Sequence, residues 1–597
     1  MSGIGGFLGF GGTAASLATV CEAMQISLKI RGQHEHGTFI SEDVCLIHTS
    51  TDYPFTGRGP FRAVLGQKAH VIVFDGELYN KKELTDELKK LGFFLPEPND
   101  AVIALYGFMA WGEACLERFL GVFAFAVWDS GRIFIARDRL GLKPLFFSAS
   151  SRGFVFASDI KTMLKHPSIN PVMSGEGVAD MMLIGPAHTP GTTFFRDIKE
   201  LQPGHWASYS KTGGLNIKRY WQLKAKPHHE SFEETASTVR KIINDSVARQ
   251  SEENEMGIFL SGGLDSSAVA ALSGCRDTFS VDYVGNDRHF TPNDFQPDDD
   301  NSFIKEMVSH LRASHSRVVL GSDELAEALA PAMQARGLPG MGDVDSALLL
   351  FCQQVKESVP IALTGEGADE IFGGYPWYQK DEIAATFPWS RDSEYRSRFI
   401  APHILSRFDP EAYAQNRFEK AIAASGSRYD DTEKERQVRQ MFHLNLEWFL
   451  PNLAIRNESM SAAAGLTVRS PFLDHRLVEY LYNVPWAYKN YKDREKGLLR
   501  EALKGLLPES VLWRKKSPFP KTHNPAYMSK VTDMIKVVLQ EKDAPIFTIV
   551  NRDAIIKLLD EEPGQPWYGQ LMTVPQTIAY FLQISAWMKE YGVVLSL

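Results

Sequence analysis

The stretch FLSGGLDSSAVAAL, residues 259–272, constrains this 597-residue chain more than any other part of it. Its first two residues, Phe259 and Leu260, are typical of the end of a short strand, and the small apolar residues that close it are typical of a buried helix. Between them, Gly262 and Gly263 allow a tight turn that brings backbone N–H groups to the positive end of the helix dipole. The stretch therefore predicts an anion-binding loop between a strand and a helix.

The polar side chains of this loop narrow the identity of the anion. Ser261, Ser266 and Ser267 can donate hydrogen bonds to phosphate oxygens, whereas Asp265 would repel phosphate unless a cation lay between them. Magnesium pyrophosphate meets both conditions. The alternative is an ordinary helix cap, since Ser, Asp and Gly all cap helices well. We favour the nucleotide interpretation because the stretch resembles the pyrophosphate loop of enzymes that split ATP into AMP and pyrophosphate, and lacks the lysine of the G-x-x-x-x-G-K-S/T loop.

The composition is that of a soluble globular protein with more than one domain: 44% of residues are apolar, 23% are charged and the mean hydropathy is −0.20. The net charge of −9, without a long basic block, argues against nucleic acid as the main partner. No stretch approaches the roughly 20 uninterrupted apolar residues of a membrane helix. We interpret the glycine-rich first 20 residues as a buried first strand and loop rather than a signal peptide.

The five cysteines, Cys21, Cys45, Cys115, Cys275 and Cys352, are far apart in the sequence and form no C-x-x-C pair. This spacing suggests neither a zinc site nor a disulfide framework. We therefore expect reduced cysteines and a cytoplasmic location.

The pattern of apolar residues divides the chain into two domains. Short apolar runs bounded by Gly, Asp and Pro, such as HVIVFDGELYN, GVFAFAVWD, RIFIARDRLG and PLFFSAS, predict an antiparallel sheet region in the first domain. Strand and helix patterns alternate in the second domain, which predicts a parallel sheet with ligands at the carboxyl ends of its strands, and from about residue 400 the pattern is mostly helical. Periodicity is lost around residues 222–232, so we assign residues 1–222 and 223–597 to the two domains.

A second motif, LTGEGADEIFGGYPWY at residues 363–378, is another strand end that breaks into glycines and acids. The motif contains three acids that can bind magnesium or act as bases: Glu366, Asp369 and Glu370. Gly365 has no side chain, so another group can approach the backbone closely beside them. The alternative is an acidic helix N-terminus that stabilises the helix dipole. Placed in one parallel sheet with the first loop, this motif would form the other wall of a nucleotide cleft.

A third motif, LTVRSPFLDHRLVEYL, precedes a helix-like segment that begins at Lys496. Arg469 and Asp474 flank a Pro-Phe turn, and a structural ion pair between them is the simplest interpretation. Lys496 is either a solvated surface lysine or a cation aimed at developing phosphate charge.

Together, FLSGGLDSS, TGEGADEIFGGY, PFLDHRLVE and KGLLREALKG resemble the glutamine-dependent asparagine synthetase family over nearly the whole chain. The segments DRHFTPNDFQPDDDNSFI and KSPFPKTHNP resemble a Gram-positive branch of it. The resemblance implies an N-terminal Ntn-type antiparallel-sheet sandwich and a C-terminal ATP-pyrophosphatase (PP-loop) domain with a parallel sheet and a helical extension. It also implies ATP and Mg²⁺ as cofactors and adenylation of a carboxylate, from which an amine displaces AMP.

The same resemblance assigns roles to individual residues. It implies that Glu366 assists the nucleophile, that Lys496 stabilises the adenylation transition state, and that Asp265 and Asp369 bind magnesium. The residues that it assigns to nucleotide and pyrophosphate binding are Leu260, Ser261, Gly262, Gly263, Asp265, Ser266, Ser280 and Gly365.

The chain departs from the family near the expected acyl acceptor pocket. It has ESMSAAAGLTVR where the family usually has DRMSMAHSLEVR, so Glu458, Ser459 and Thr467 replace charged residues of the family pattern. We infer that the acceptor need not be aspartate.

The first domain resembles class II glutamine amidotransferases through DGELYN, RDRLGLKPLFF and FASDIKTMLKHP, but it lacks their catalytic groups. That family attacks glutamine with an N-terminal cysteine, where this chain has Ser2. The family's oxyanion amide is replaced by Asp75, whose carboxylate would repel developing negative charge, and its glutamine-binding arginine is missing at Thr49 and Ser50. The remaining residues of this degenerate site that match the family are Gly76, Glu77 and Asp100.

These features predict an ATP-dependent amide ligase that does not hydrolyse glutamine. Its substrates would be a small-molecule or peptide carboxylate and an amine or ammonia, and closure of a peptide or β-lactam ring belongs to this class. The alternatives are an ammonia-dependent or residually glutamine-dependent asparagine synthetase and a non-catalytic nucleotide-binding regulator. Neither nucleic acid nor membrane is an expected partner, and we leave a homodimer open.

Overall fold

The structure is a computed structural model that describes residues 2–11, 13–51, 59–253, 255–290, 299–379, 386–390, 392–560, 566–569 and 571–597. Residues 291–298, which belong to the segment that resembles the Gram-positive branch, lie outside these ranges. Among the described helices, none is both long and apolar enough to cross a membrane.

Two antiparallel sheets form the first domain, as predicted. The first sheet has the order β11-β8-β9-β1-β3-β2 and the second has the order β13-β12-β7-β6-β5-β4. Their strands are β1 Ser2–Gly9, β2 Glu35–Ser41, β3 Val44–Ser50, β4 Phe61–Leu65, β5 Lys68–Leu78, β6 Gly121–Asp129, β7 Arg132–Arg137, β8 Phe146–Ser150, β9 Gly153–Ala157, β11 Lys199–Glu200, β12 His205–Ser210 and β13 Gly214–Arg219. A separate pair joins β10 Val172–Met173 to β19 Val594–Leu595.

The alternation within β5 explains why the two sheets stack. Successive side chains of a strand point to opposite faces, so Val71 and Val73 pack into the core between the sheets while Ile72 and Phe74 pack against the outer helices. Both faces of β5 are therefore buried, which gives the near-continuous apolar run in HVIVF.

A five-stranded parallel sheet forms the centre of the second domain, in the order β16-β15-β14-β17-β18. Its strands are β14 Met256–Phe259, β15 Asp277–Tyr283, β16 Ser314–Leu320, β17 Ile361–Leu363 and β18 Thr467–Arg469. Four of these coincide with the predicted strands, and β18 was not predicted because three residues are too few for a recognisable pattern.

Helices cover the sheets and form the extension beyond residue 400. In the first domain they are Ala14–Leu28, Lys81–Lys90, Asp100–Trp111, Cys115–Arg118, Ile160–Met163 and Gly175–Ala179. In the second domain they are Phe232–Gln250, Leu264–Ser273, Asn286–His289, Asp300–Leu311, Ser322–Glu327, Leu329–Arg336, Asp343–Lys356, Ala368–Phe372, Ser393–Ser397, Pro402–Leu405, Pro410–Ala424, Glu433–Leu444, Leu450–Ala464, His475–Tyr482, Trp486–Lys489, Gly497–Ala502, Glu509–Leu512, Pro525–Gln540, Arg552–Leu558 and Val574–Tyr591.

The two predicted domains are in close contact. Phe195 of the first lies 5.0 Å from Trp587 of the last helix, ring centroid to ring centroid, and one hydrophobic cluster contains residues of both. The predicted boundary between residues 222 and 223 stays a prediction.

Two sequence expectations were wrong in this region. The first 20 residues contain the expected buried strand, but Thr13 caps a helix from Ala14 where we expected a loop. The expectation that all cysteines are reduced was also wrong, since Cys21 of this helix forms a disulfide bond with Cys45 of β3. The fold brings these two cysteines together because the first helix packs on β3. Their spacing in the sequence gives no sign of this packing.

We predict that the denatured, unreduced protein titrates three thiols with Ellman's reagent, because Cys115, Cys275 and Cys352 are free. The same protein reduced before titration should titrate all five cysteines. Five thiols without reduction would contradict the Cys21–Cys45 bond.

Candidate active site

The two predicted loops meet at one edge of the parallel sheet. They follow β14 and β17, which are hydrogen-bonded neighbours, so their carboxyl ends lie side by side. A Cβ atom on Gly365 would lie 2.6 Å from the backbone nitrogen of Ser266, so only glycine allows the two loops to approach this closely. They form the walls of a cleft at this edge of the sheet.

The first loop has the geometry of an anion site at a helix N-terminus. Ser261 Oγ lies 3.0 Å from Ser266 Oγ, and the backbone nitrogen of Gly263 donates a 3.4 Å hydrogen bond to Ser261 Oγ. These groups surround the start of the helix Leu264–Ser273, where unpaired N–H groups favour an anion. Gly262 is the turn residue of this loop, with φ of +67°.

Lys496 connects the two loops through buried ion pairs. Its Nζ atom lies 2.6 Å from Asp265 Oδ2 and 2.8 Å from Asp369 Oδ1, and its side chain is 3% exposed. Lys516, which the sequence analysis missed, pairs with Asp369 Oδ2 at 2.7 Å. A solvated surface position for Lys496 is therefore excluded, and the residue caps the helix Gly497–Ala502 rather than lying within it.

Burial and pairing set the protonation of this cluster. Burial alone would raise the pKa of Asp369, but Lys496 and Lys516 outweigh it and lower the pKa. Burial would lower the pKa of Lys496, and the two aspartates raise it instead. Glu370 lies behind them, where burial and the charge of Asp369 raise its pKa to about 7.

The donor set fits a divalent cation that is shared with phosphate oxygens. No described residue hydrogen-bonds to the buried Oδ1 atom of Asp265, which is an oxygen of the type that Mg²⁺ prefers. The described residues contain no group of three or more His, Cys, Asp or Glu side chains able to hold a metal alone. Mg²⁺ usually keeps only one or two protein carboxylates and takes its other ligands from substrate phosphates and water, so two aspartates are sufficient.

The structure brings most of the predicted nucleotide residues to this cleft. Leu260 and Ser280 lie beside the loops, and the Ser280 hydroxyl is 3.0 Å from His315 Nε2. The predicted residues that line the cleft are Leu260, Ser261, Gly263, Asp265, Ser266, Ser280, Gly365, Glu366, Asp369 and Lys496.

Glu366 has a partner that the sequence did not indicate. Arg456 Nη2 donates a 2.9 Å hydrogen bond to Glu366 Oε1, and the Arg456 side chain is 8% exposed. Arg456 and Leu453 line the cleft at spacing i, i+3 on the helix Leu450–Ala464, a helical face that could have been recognised from the sequence.

A second cleft lies between the domains, and Glu366 and Asn457 line both clefts. At its far end the Ser2 hydroxyl donates a 2.9 Å hydrogen bond to Asp75 Oδ1. We refer to Asp75 and the three charged side chains around it, Arg31, Lys143 and Glu458, as the charged quartet.

The charged quartet is buried and internally paired. Arg31 Nη2 lies 3.2 Å from Asp75 Oδ2 and 2.5 Å from Glu458 Oε1, and Lys143 Nζ lies 2.9 Å from Glu458 Oε1 and 3.5 Å from Asp75 Oδ1. Burial would raise the pKa of Asp75, but Lys143 and Arg31 lower it. Two cations thus neutralise two carboxylates, one from each domain, beside Ser2.

The other residues of the degenerate site have structural partners. Arg469 Nη2 donates a 2.6 Å hydrogen bond to Glu77 Oε1. Asp100 accepts a 2.7 Å hydrogen bond from the Leu78 nitrogen, and burial raises the pKa of its carboxyl to about 6. Gly76 lines the cleft beside them.

The expected ion pair between Arg469 and Asp474 was wrong. Arg469 binds Glu77 and Glu253, whereas Asp474 binds Arg476, because β18 directs Arg469 toward the first domain. Glu458 and Thr467 line the interdomain cleft, and their expected place near the acceptor pocket stays a prediction.

Family models divide the chain in the same order as the motifs. The model of the glutamine amidotransferase domain matches residues 1–221, and the asparagine synthase model matches residues 238–589, more than half of the chain. The chain belongs to the asparagine synthetase family. It is therefore a member of a family of ATP-dependent carbon–nitrogen ligases.

Relatives agree with this assignment. The chain is 39% identical to a protein named asparagine synthetase 3 (glutamine-hydrolyzing) of Bacillus subtilis strain 168 over 90% of each chain. It is 24% identical to asparagine synthetase 1 (glutamine-hydrolyzing) of the same organism, over 82% of this chain and 81% of the other. A protein named Amidase chry2 of Gibberella zeae is 25% identical over 82% of this chain and 84% of the other.

We predict that Lys496→Met lowers AMP formation by about 10²–10³-fold, the usual cost of removing one group that stabilises transition-state charge. AMP release measured by chromatography checks this. Lys504→Met is the matched control, because Lys504 is 48% exposed and pairs with Glu501 at the surface. AMP formation by Lys496→Met at the control's rate would remove Lys496 from the reaction.

We predict that Glu458→Gln destabilises the protein by about 3–5 kcal/mol, because Arg31 and Lys143 would then share a single buried carboxylate. Urea denaturation followed by tryptophan fluorescence measures the change. Glu447→Gln, which breaks a half-exposed pair with Arg219, should cost about 0–1 kcal/mol. Equal urea midpoints for the two variants would show that the charged quartet stabilises the protein no more than a surface ion pair does.

Proposed function

We propose that this protein is an AMP-forming amide ligase that adenylates a carboxylate and transfers the acyl group to an amine or ammonia without hydrolysing glutamine. The charged quartet is the observation that supports the absence of glutamine hydrolysis. Ser2 Oγ donates to Asp75, and Arg31 and Lys143 hold that carboxylate in its charged form.

A glutaminase intermediate carries negative charge on its oxygen and needs hydrogen-bond donors beside it. A buried aspartate beside the hydroxyl supplies negative charge instead, and the two nearby cations are already committed to Asp75 and Glu458. The first domain would then serve to complete the interface with the ligase domain rather than to release ammonia.

The roles in the nucleotide cleft follow from the contacts around Lys496. Ser261, Gly263 and Ser266 would bind pyrophosphate, and Lys496 would neutralise charge that develops on the phosphate during attack by the carboxylate. Asp265 and Asp369 would hold Mg²⁺, which supplies charge neutralisation of the phosphates. Glu366 would accept the proton of the attacking amine.

The walls beyond Asp369 favour an acyl group larger than aspartate. Tyr375 and Trp377 stack at 4.5 Å between ring centroids, and Phe449 packs against both at 5.3 and 5.5 Å. Such aromatic lining suits an apolar or peptide chain that carries the carboxylate. This supports a specialised biosynthetic ligase or cyclase.

A second candidate is an ammonia-dependent or residually glutamine-dependent asparagine synthetase. It is favoured by the 39% identity to a protein named a glutamine-hydrolyzing asparagine synthetase over 90% of both chains. A non-catalytic nucleotide-binding regulator is disfavoured, because Glu366, Asp369 and Lys496 all line one cleft with the pyrophosphate loop.

Exchange of labelled pyrophosphate into ATP separates these functions. The two acids supplied are L-aspartate and the tripeptide Gly-Asp-Gly, in which the same side-chain carboxylate lacks a free amine and carboxylate beside it. Exchange with the tripeptide alone supports the specialised ligase. Exchange with aspartate, followed by asparagine formation from ammonium, supports the synthetase. Exchange with neither acid, nor with any longer peptide carboxylate, contradicts adenylation.

We predict that Ser2→Ala leaves amide formation from ammonium unchanged, because the Ser2 hydroxyl hydrogen-bonds to Asp75 of the charged quartet and does not line the cleft that holds Lys496. Amide product measured by mass spectrometry, with ammonium chloride or glutamine as nitrogen source, checks this. A loss of glutamine-dependent product in Ser2→Ala would contradict an inactive first domain.

A further inference from the structure

The proton acceptor assigned to the amide-forming step is held by a single side chain. Glu366 follows β17 at the point where the two clefts meet, and Arg456 Nη2 donates to its Oε1 at 2.9 Å. No other described side chain donates a hydrogen bond to the Glu366 carboxylate, and its Oε2 receives none from the described residues. One carboxylate oxygen is therefore anchored and the other is free to face a reactant.

Among the described residues, Glu366 is the one carboxylate that pairs with Arg456. Its Nη1 atom lies 3.9 Å from Met341 Sδ, a weak acceptor, and no described residue hydrogen-bonds to its buried Nε. The guanidinium also lies 5.7 Å from the ring centroid of Phe519. The ion pair with Glu366 is thus the strong interaction of this arginine.

We propose that Arg456 is the positioning residue that keeps the Glu366 carboxylate charged and oriented for the amide-forming step. This inference rests on the proposed function. In that step the amine nitrogen forms a bond to the acyl carbon, and the bond between this carbon and the phosphate oxygen of AMP breaks with its electron pair leaving on AMP. The proton lost by the nitrogen goes to Glu366.

The need for a partner follows from the surroundings of Glu366. Burial raises the pKa of Glu366, and Arg456 is the group that opposes this rise. Among the described residues, the other titratable groups whose charge interacts with that of Glu366 are Glu370, Tyr375 and Cys352, and none of these side chains can carry a positive charge. Without Arg456, Glu366 would be protonated at higher pH and could not accept the proton of the amine.

Adenylation needs no proton acceptor, whereas amide formation does, so Arg456→Met should separate the two steps. We expect pyrophosphate exchange to persist while amide formation falls by about 10²-fold, the lower end of what a positioned base contributes. The acid used is whichever of L-aspartate or Gly-Asp-Gly supports exchange, and the amine is ammonium chloride. Arg456→Lys, which keeps the charge, should recover part of the rate.

The pH profile distinguishes this role from a merely structural one. Because Arg456 favours charged Glu366, the acid limb of amide formation should move to higher pH in Arg456→Met and stay near its wild-type place in Arg456→Lys. Arg439→Met is the matched control, since Arg439 pairs with Asp431 in a similarly buried ion pair away from both clefts. This control should lose stability without moving the acid limb.

A substrate-free measurement keeps the inference testable if the protein adenylates neither acid. Difference infrared titration of the wild-type protein against Glu366→Gln reads the protonation of Glu366, and its midpoint should rise in Arg456→Met. An unchanged midpoint, or an equal loss of exchange and amide formation, would overturn the positioning role. Absence of exchange in the wild-type protein would count against the proposed function alone.

Discussion

Buried ion pairs across the domain interface are the constraint on which the rest of the structure depends. Glu458 of the second domain lies between Arg31 and Lys143 of the first, and Arg469 reaches Glu77 in the same interface. A buried charge that loses its partner costs several kcal/mol, so none of these residues can change alone. The interface therefore holds the edge of the first domain against the helix that carries Arg456, and with it the wall of the nucleotide cleft.

Paired buried charges also organise the cleft between the two loops that follow β14 and β17. Asp265 and Asp369 approach each other because Lys496 lies between them, and Lys516 neutralises the remaining oxygen of Asp369. In the proposed function, Lys496 and Lys516 would turn toward phosphate oxygens when a nucleotide binds. Adenylation of a carboxylate would need this kind of charge neutralisation beside the phosphates.

Local patterns in the sequence predicted much of the fold and the meeting of the two loops beside Lys496. Most strands of the parallel sheet and the helix Phe232–Gln250 follow from apolar periodicity, and the glycines between strand and helix indicated the tight turn of the first loop. Contacts between distant residues could not be predicted in this way. The Cys21–Cys45 bond and the Arg456–Glu366 ion pair depend on how the elements pack. The roles of Arg31 and Lys143 likewise appear only in the fold, which places both beside Glu458.

The stoichiometry of glutamate to AMP tests the central claim most directly. The protein is supplied with ATP, Mg²⁺, a carboxylate that supports adenylation, ammonium chloride and glutamine labelled with ¹⁵N in its amide, and both products are quantified by mass spectrometry. We predict that AMP accumulates without glutamate and that the amide product carries no label. One glutamate per AMP, with label in the product, would contradict it and show that Ser2 and the charged quartet form a working glutaminase.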